Sequence, residues 1–240
     1  GPNYMRFGLS LEDDFSGNSN YNAAARVVLA DIGPLAAEWV WDFQLGSEPR
    51  VATEFYQPIG TQANWFVTPQ AKFEVRNVPF LQDGVRVAEY RLRTTEYGVD
   101  IGRELGNWGE LRNQLTVSYI REYEVDDQRG TVIDYAGRIG SPDLRASLYN
   151  SWTFGDFTAG WNINYIDGQA NPGGATDVGS YATNDVQLSW KAPWNATMTI
   201  GATNVGDRYP ELVGFDGRPW NFYLYDAYGR TTYFRYTQTF

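Results

Sequence analysis

Hydrophobic and polar residues alternate along most of the chain. From Phe157 to Tyr165 every second residue is apolar, and the residues between them are threonine, glycine and asparagine. The same alternation recurs at residues 5–11, 39–45 and 198–202. Because successive side chains of a β-strand point to opposite faces, this period predicts strands with one apolar face.

Turn residues divide this pattern into segments close to the length that crosses a membrane as a tilted strand. We predict strands near residues 3–12, 20–31, 36–46, 50–57, 65–76, 86–104, 110–123, 143–153, 157–166, 182–191, 196–205 and 230–240. Short connections are predicted at 32–34, 105–109, 154–156 and 192–195, and longer ones at 77–85, 124–142, 167–181 and 206–229. Arg91, Arg93 and Glu96 interrupt the alternation, which indicates either a β-bulge or a strand that runs beyond the membrane.

Two all-β folds fit this alternation. A soluble sandwich or lipocalin-like barrel turns its apolar face inward, whereas a transmembrane barrel turns it towards lipid. The apolar face here is rich in Trp, Tyr and Phe near strand ends, which is typical of the aromatic girdles of outer-membrane barrels. We therefore predict one domain over residues 1–240, an antiparallel up-and-down transmembrane β-barrel of about twelve strands in a bacterial outer membrane. Short turns on the periplasmic side would place both termini there.

Composition removes several functional classes. The 240 residues include no Cys and no His, and the formal net charge is -10. An acidic chain is a poor partner for nucleic acid. The absence of Cys excludes disulfides and thiolate metal sites, and the absence of His removes the commonest general base.

No motif in the sequence supports catalysis. The string from Gly8 to Glu12 lacks the final glycine of a nucleophile elbow and lies on a predicted strand. Adjacent acids at 13–14 and 126–127 point to opposite faces, so we interpret them as solvated loop acids rather than a Ca²⁺ site or a divalent bridge to lipopolysaccharide. We expect no enzyme, no cofactor and no metal site.

Charged residues also occupy the face opposite the apolar one. These predicted inward residues are Arg6, Glu12, Glu38, Asp42, Lys72, Glu74, Arg145 and Arg235. They fit either a hydrated lumen that pairs its own charges or a narrow pore whose acidic excess favours cations. A barrel of about twelve strands lies between filled small barrels and open porins.

The last strand carries a second signal. Phe234, Tyr236, Gln238 and Phe240 share one face of it. A closing strand that ends in Phe resembles the C-terminal signature that outer-membrane proteins present to the barrel assembly machinery, although Gln238 stands where that pattern prefers an aromatic. The resemblance implies that Phe234, Tyr236 and Phe240 form an assembly signal.

The two halves of the chain resemble different families. Residues 113–240 resemble the last strands of a TonB-dependent receptor, through TNVGDRYPELVG from Thr203, YDAYGR from Tyr225 and the terminal YTQTF. Residues 1–112 resemble the C-terminal surface-antigen-type barrel of bacterial patatin-like phospholipases. That likeness rests on GPNYMRFGLSLEDDF, EFYQP from Glu54, RVAEYR from Arg86 and LGNWGELR from Leu105. We interpret the chain as a hybrid, either a recombined gene or an engineered fusion.

These resemblances imply a membrane protein without its usual accessory parts. The sequence contains neither the receptor family's plug nor its energy-coupling box, and it lacks the phospholipase's catalytic domain. We expect a membrane scaffold or small passive pore that contacts outer-membrane lipid and lipopolysaccharide. The alternative is a receptor fragment for ligand uptake, with loop aromatics that converge on a ligand: Tyr209, Phe215, Trp220 and Tyr223.

Overall fold

The structure is a computed structural model of the chain, and most of it is β-strand. It describes residues 3–13, 19–82, 85–126, 131–172, 176–214, 218–222, 224–226 and 228–239. The strands are β1 Tyr4–Asp13, β2 Ser19–Ile32, β3 Ala37–Gly46, β4 Arg50–Ile59, β5 Trp65–Gln82, β6 Val85–Glu104, β7 Gly109–Asp126, β8 Thr131–Asp134, β9 Leu144–Phe154, β10 Phe157–Ile166, β11 Tyr181–Ala192, β12 Ala196–Thr203 and β13 Thr231–Gln238. A single 3-10 turn, Gly106–Trp108, separates β6 from β7. Among the described residues, no helix has the length and apolar character needed to cross a membrane.

The strands form one antiparallel up-and-down sheet. Its order follows the sequence from β1 to β13, except that β9 pairs directly with β7 and the short β8 pairs only with β7. Twelve strands therefore make up the continuous path, which confirms the predicted all-β, up-and-down arrangement. The sheet is not closed: β1 and β13 are its two edges, and no pairing joins them in the described part of the chain.

Three neighbouring strands are longer than predicted. Residues 77–85 were expected to form a loop, but β5 continues to Gln82 and β6 begins at Val85. Part of the predicted loop 124–142 is also strand, because β8 pairs with the end of β7. The register of β6 with β7 is unbroken from Glu89 to Glu104, so no bulge lies at 91–96 and the alternative of a long strand holds. Mutual ladder pairing extends these strands through residues whose own preference is for turns.

The two ends of the sheet differ. One end carries the connections at residues 33–36, 60–64, 105–108, 155–156 and 193–195, all of them short. Gly33, with φ 71°, and Asn195, with φ 58°, supply the left-handed backbone that such tight turns require. The chain enters β1 and leaves β13 at this same end, which we call the short-turn end.

The sheet is a single layer whose two faces differ in chemistry. Cross-strand register places residues 5, 7, 9 and 11 of β1 on the same face as Val27, Trp41 and Phe43. We call this face the outward face and the opposite one the polar face. Many large apolar side chains on the outward face are exposed, including Phe7 at 79% and Leu9 at 88%. No large side chain among the described residues is fully buried. The sheet therefore has no opposing apolar layer to form a conventional core.

Candidate functional site

The polar face of β1 to β6 lines a cavity of about 460 Å³. Within it Arg26 forms a two-pronged ion pair with Asp42, from Nε to Oδ1 at 2.8 Å and from Nη2 to Oδ2 at 2.9 Å. Lys72 Nζ lies 3.4 Å from Glu96 and 3.7 Å from Glu74. These are cross-strand or same-face neighbours, so the charges pair along the wall rather than across the cavity.

A second charged cluster lies on the polar face towards the short-turn end. Arg112 Nε is 3.2 Å from Asp100 Oδ2 and 3.1 Å from Glu110 Oε1. The guanidinium also lies 5.1 Å from the centre of the Phe66 ring. Asp100 is 9% exposed, and its other oxygen, Oδ1, has no hydrogen-bond partner among the described residues. All members of this cluster belong to the first predicted half, which ends at Arg112, and β7 keeps its register through residues 112 and 113.

The polar face of β9 to β13 is built mainly from amides and hydroxyls. Asn162 Nδ2 donates to Asn164 Oδ1 at 2.9 Å, and Asn164 Nδ2 donates to Asp185 Oδ2 at 3.0 Å. Ser189 and Thr199 share a hydrogen bond of 2.8 Å. This wall therefore satisfies its polar groups largely without charge pairs, in contrast to the wall of β1 to β6.

Glycines on the polar face are covered by larger cross-strand neighbours. A Cβ atom at Gly102 would overlap the Phe66 ring, and one at Gly201 would overlap Tyr233. Gln70 covers Gly98 and Gln187 packs against Gly160 in the same way. Large side chains thus lie flat along the wall where a glycine leaves room, an arrangement that also suits a curved sheet.

Aromatic side chains concentrate on the outward face near the short-turn end. Trp108 stacks on Phe154 with ring centres 5.9 Å apart, and Phe157 stacks on Trp190 at 6.3 Å. Trp190 also meets Trp194 edge to face at 5.5 Å. These rings come from neighbouring hairpins, so they form a continuous aromatic edge rather than scattered exposed residues.

On the outward face of β6, charged residues occur at two levels that are separated by an uncharged stretch. On β6, Arg103 points outward near the short-turn end and lies 5.1 Å from the centre of the Trp65 ring. The next outward charge on this strand is Arg93, since Glu96 and Asp100 share the polar face. Across the twelve strands of the path, the described outward positions between these two levels carry no charged residue, apart from the bulge at the end of β2, where Asp31 is exposed beside a short turn.

The structure places the predicted inward residues on the polar face. Arg6 pairs with Arg26, Arg145 with Ser118, and Arg235 with Thr199. Glu38, Asp42, Lys72 and Glu74 belong to the same face. The side chain of Glu12 lies outside the described part of the structure.

The predicted assembly signal is only partly visible. Phe234 and Tyr236 point outward from β13 and are 67% and 49% exposed, while Phe240 lies outside the described residues. Gln238, the departure from the family pattern, donates from Nε2 to the Trp194 carbonyl at 3.0 Å and accepts from the Tyr236 hydroxyl. It therefore ties the end of β13 to the turn before β12.

The loop aromatics converge in part. The rings of Tyr209 and Trp220 lie 6.5 Å apart, and Trp220 is 5.3 Å from Phe222, which no sequence pattern singled out. Phe215 and Tyr223 lie outside the described residues. Trp220 Nε1 is buried and has no hydrogen-bond partner among the described residues.

Sequence reasoning missed a buried contact among the loops at the far end. Gln169 and Tyr225 are 3% and 4% exposed, and Gln169 Nε2 donates to the Tyr225 hydroxyl at 2.6 Å. Gln169 Oε1 accepts from the Gly140 amide at 2.6 Å, so three loops meet at one amide. Burial raises the pKa of Tyr225 above its usual value, and the Gln169 hydrogen bond partly opposes this rise. Only the YDAYGR motif drew attention to this segment, and it gave no sign of burial.

Only one residue of each acidic pair lies within the described residues. Asp14 and Asp127 lie outside the described residues, and Asp13 and Asp126 are the last residues of β1 and β7. Within the described ranges, no three acidic side chains are grouped as ligands for a metal ion.

Comparison with known proteins gives no assignment. No family model matches the chain, and no curated protein or solved structure matches it either. The two family resemblances therefore remain predictions from sequence motifs.

Proposed function

We propose that the chain is an integral outer-membrane barrel with a hydrated polar lumen, which acts as a membrane scaffold or a narrow passive pore. The uncharged outward face carries this proposal. Arg103 lies ten positions after Arg93 on β6, which corresponds to about 33 Å along a strand at ~3.3 Å per residue. A tilt of about 40° reduces this length to a height of roughly 25 Å, the height of the apolar band of outer-membrane barrels.

The aromatic edge supports the same placement. The rings of Trp108, Phe154 and Trp190 lie close to the level at which the uncharged band ends. Aromatic rings with a polar edge favour the interface between lipid and water because the rest of the ring is apolar. The short-turn end would then face the periplasm, with both termini there, and the long loops would face outward.

Topology supports closure of the open edge in the membrane. Twelve strands alternate in direction, so β1 and β13 run antiparallel and can pair without a reversed strand. In lipid, an unpaired strand edge would leave backbone groups without hydrogen bonds, at a cost of several kcal/mol each. A closed ring of twelve strands spaced about 4.8 Å apart and tilted by about 40° has a backbone radius of roughly 12 Å.

The lumen chemistry supports a passive role. The ion pairs on β1 to β6 form along the wall rather than across the lumen, and the wall of β9 to β13 is mainly amide and hydroxyl. Within the described residues, neither wall presents converging nucleophile, base or metal ligands. We also infer, from the sequence motifs alone, that residues 1–112 and 113–240 derive from two barrel families.

Closure can be tested directly because the chain contains no cysteine. A cysteine at Leu9 is combined in turn with one at Thr232, Phe234 or Tyr236, and each double variant is oxidised in liposomes. The proposal expects one combination to form an intramolecular disulfide efficiently. Disulfides formed only between two chains would show a dimer, and an absence of cross-linking in every combination would contradict a closed barrel.

Conductance separates the pore from the scaffold. A pore predicts discrete current steps when the purified protein is added to a planar bilayer. A scaffold predicts that heat-modifiable protein inserts without such steps. In both cases the unboiled protein should migrate faster than the boiled protein on a detergent gel, and substantial helix by circular dichroism would contradict the fold.

A further inference from the structure

Three strands continue past the uncharged band as a regular ladder. β5 and β7 have 18 residues each and β6 has 20, whereas the other strands of the path have 8 to 14. This sheet extension rises from the end opposite the short turns. Its outward face continues the outward face of the membrane band, because the register of β6 with β7 does not shift.

Alternation places neighbouring charges of β7 on opposite faces. Residues 121–124 read Arg-Glu-Tyr-Glu, so Arg121 points outward while Glu122 and Glu124 point to the opposite face. The two glutamates are engaged there. Glu122 accepts a hydrogen bond from the Ser141 hydroxyl, and Glu124 accepts one from the Tyr135 hydroxyl at 2.7 Å.

The outward face of the extension gathers three arginines, Arg91, Arg93 and Arg121, which we call the outward arginine cluster. Arg93 pairs directly with Arg121 across the β6–β7 ladder, and Arg91 is two residues from Arg93 on the same face. Directly opposed side chains in such a ladder have Cβ atoms about 5 Å apart, and like charges in these positions repel.

Two carboxylates share the outward face with this cluster, Glu89, two residues from Arg91 on β6, and Asp134, which pairs with Tyr123, so the three arginines outnumber the acids there. The Arg93 guanidinium lies 5.2 Å from the centre of the Tyr123 ring, and Arg91 Nε donates to Asn77 Oδ1 at 3.3 Å. Both contacts orient the arginines but add no negative charge. Neither Arg93 nor Arg121 takes part in an ion pair among the described residues. Arg121 interacts first with the Tyr123 hydroxyl, and Asp134 and Asp143 attract it without ion-pair contact.

The cluster lies immediately above the apolar band. Phe73, Thr95 and Tyr119 form the adjacent cross-strand row, one outward position below Arg93 and Arg121. Phe73 and Tyr119 are 43% and 50% exposed. In the proposed orientation, the guanidinium groups therefore stand where the acyl chains of the outer leaflet end and its headgroups begin.

We propose that the outward arginine cluster binds the phosphate groups of a phosphorylated lipid headgroup in the outer leaflet. The inference rests on the proposed function, because it needs the apolar band to lie in the membrane. A guanidinium presents a planar fork of donors that matches two phosphate oxygens. A phosphate shared by Arg93 and Arg121 replaces their mutual repulsion with two attractions, and Arg91 provides a third donor group beside it.

The test compares thermal unfolding with and without a phosphorylated lipid. The variant Arg91→Gln/Arg93→Gln/Arg121→Gln and the wild-type protein are unfolded in an uncharged detergent, alone and with bisphosphorylated lipid A. The inference expects the lipid to raise the Tm of the wild-type protein by several degrees and to leave the variant unchanged. Without lipid, the variant should unfold at the same temperature as the wild type or higher, because a repulsion has been removed.

Matched controls separate this effect from total charge and from free phosphate. Arg50→Gln removes an arginine from the polar face and should keep the full response to lipid. Dephosphorylated lipid A, and inorganic phosphate at the same concentration, should each give little stabilisation of the wild type. An equal response to dephosphorylated lipid, an equal response to inorganic phosphate, or an unchanged response in the triple variant would overturn the inference.

If the triple variant does not fold, a single substitution can be tested in its place. Arg121→Gln removes one member of the opposed pair, so it should be neutral or stabilising without lipid and should lower the gain from lipid. A loss of stability without lipid and an unaltered gain with it would contradict the inference. Heat modifiability and β1–β13 cross-linking do not depend on these arginines, so failure of the barrel proposal is detected separately.

Discussion

The Phe66 ring covers Gly102 across the β5–β6 ladder so closely that the glycine has no room for a side chain. Phe66 is 3% exposed, although it belongs to the polar face of the sheet. The ring packs against the Gly102 backbone, under the Arg112 guanidinium and against the Tyr56 ring, whose centre lies 5.5 Å away. Packing of this wall therefore depends on glycine at position 102 as much as on the Phe66 ring.

Gly102→Ala should therefore destabilise the protein. The new methyl group must displace the Phe66 ring, and overpacking of this kind typically costs about 1–3 kcal/mol. Gly8→Ala is the matched control, since Gly8 lies on the polar face of β1 and no atom lies within 4 Å of the point that its new methyl group would occupy. Urea unfolding in micelles measures both, and the loss in the double variant Phe66→Ala/Gly102→Ala should be smaller than the sum of the two single losses, because the added methyl group then meets no ring. Equal effects of Gly102→Ala and Gly8→Ala would show that the ring moves freely.

Adjacent positions of β10 should differ sharply in their tolerance of charge. Ile163 points outward, whereas Asn162 lies on the polar face and pairs with Tyr149 and Asp185. Ile163→Arg places a charge in the lipid band and should cost about 2–4 kcal/mol, while Asn162→Arg should cost much less. Unfolding in lipid bilayers measures the difference, and similar losses at the two positions would mean that the two faces are assigned wrongly.

The loop contact at Tyr225 should weaken at high pH. Because burial raises its pKa in the folded protein, the unfolded chain loses this proton first as the pH rises. The contribution of neutral Tyr225 is fully present below about pH 10 and is lost as the pH rises through the folded pKa. Limited proteolysis of the loops between about pH 8 and pH 11, a range that brackets the ordinary tyrosine pKa, should show a loss of protection in the wild type. Tyr225→Phe should make the loops easier to cleave at the lower end of this pH range, because Gln169 loses its hydrogen-bond acceptor. The same variant should show a smaller increase in cleavage as the pH rises. A cleavage profile identical to that of the wild type would contradict this role of Tyr225.

The last strand should matter more for assembly in cells than for stability. Removal of Phe240 deletes an aromatic side chain worth about 1–3 kcal/mol by burial, a loss that a twelve-strand sheet should survive. The assembly machinery instead reads an exposed strand edge and its side chains, here with Phe234 and Tyr236. We expect the truncated chain to refold in micelles but to be depleted from the outer membrane. Normal assembly in cells, or failed refolding in micelles, would contradict this role.

Alternation was enough to predict most strands, and it failed where pairing outweighs local preference. The pattern from Trp39 to Leu45 marks β3 well because one face is apolar throughout. Residues 77–85 contain Asn, Pro, Asp and Gly and were therefore predicted as a loop, yet β5 and β6 pair there. The charges at Arg91 and Arg93 broke the pattern because the outward face leaves the apolar band at that level.

The sequence predicted on which face of the sheet each residue of the candidate site lies, but it did not predict which residues contact one another. Period two assigns Asp42 and Lys72 to the polar side, but only the cross-strand register reveals the partners Arg26 and Glu96. Gln169 and Tyr225 are far apart in sequence, and their contact depends on how the loops fold over the sheet. No local pattern encodes such a meeting.

The most direct test of the membrane placement is a depth profile along β6 in lipid bilayers. Single spin labels at positions 93 to 103 of the cysteine-free chain report their access to oxygen, which enriches in lipid, and to a water-soluble nickel complex. We predict that labels at Thr95, Tyr97, Val99 and Ile101 favour oxygen, with the deepest value near the middle, while labels at Thr94, Glu96 and Gly98 favour nickel. Uniform access to the nickel complex at all positions would contradict the central claim that this outward face spans the membrane.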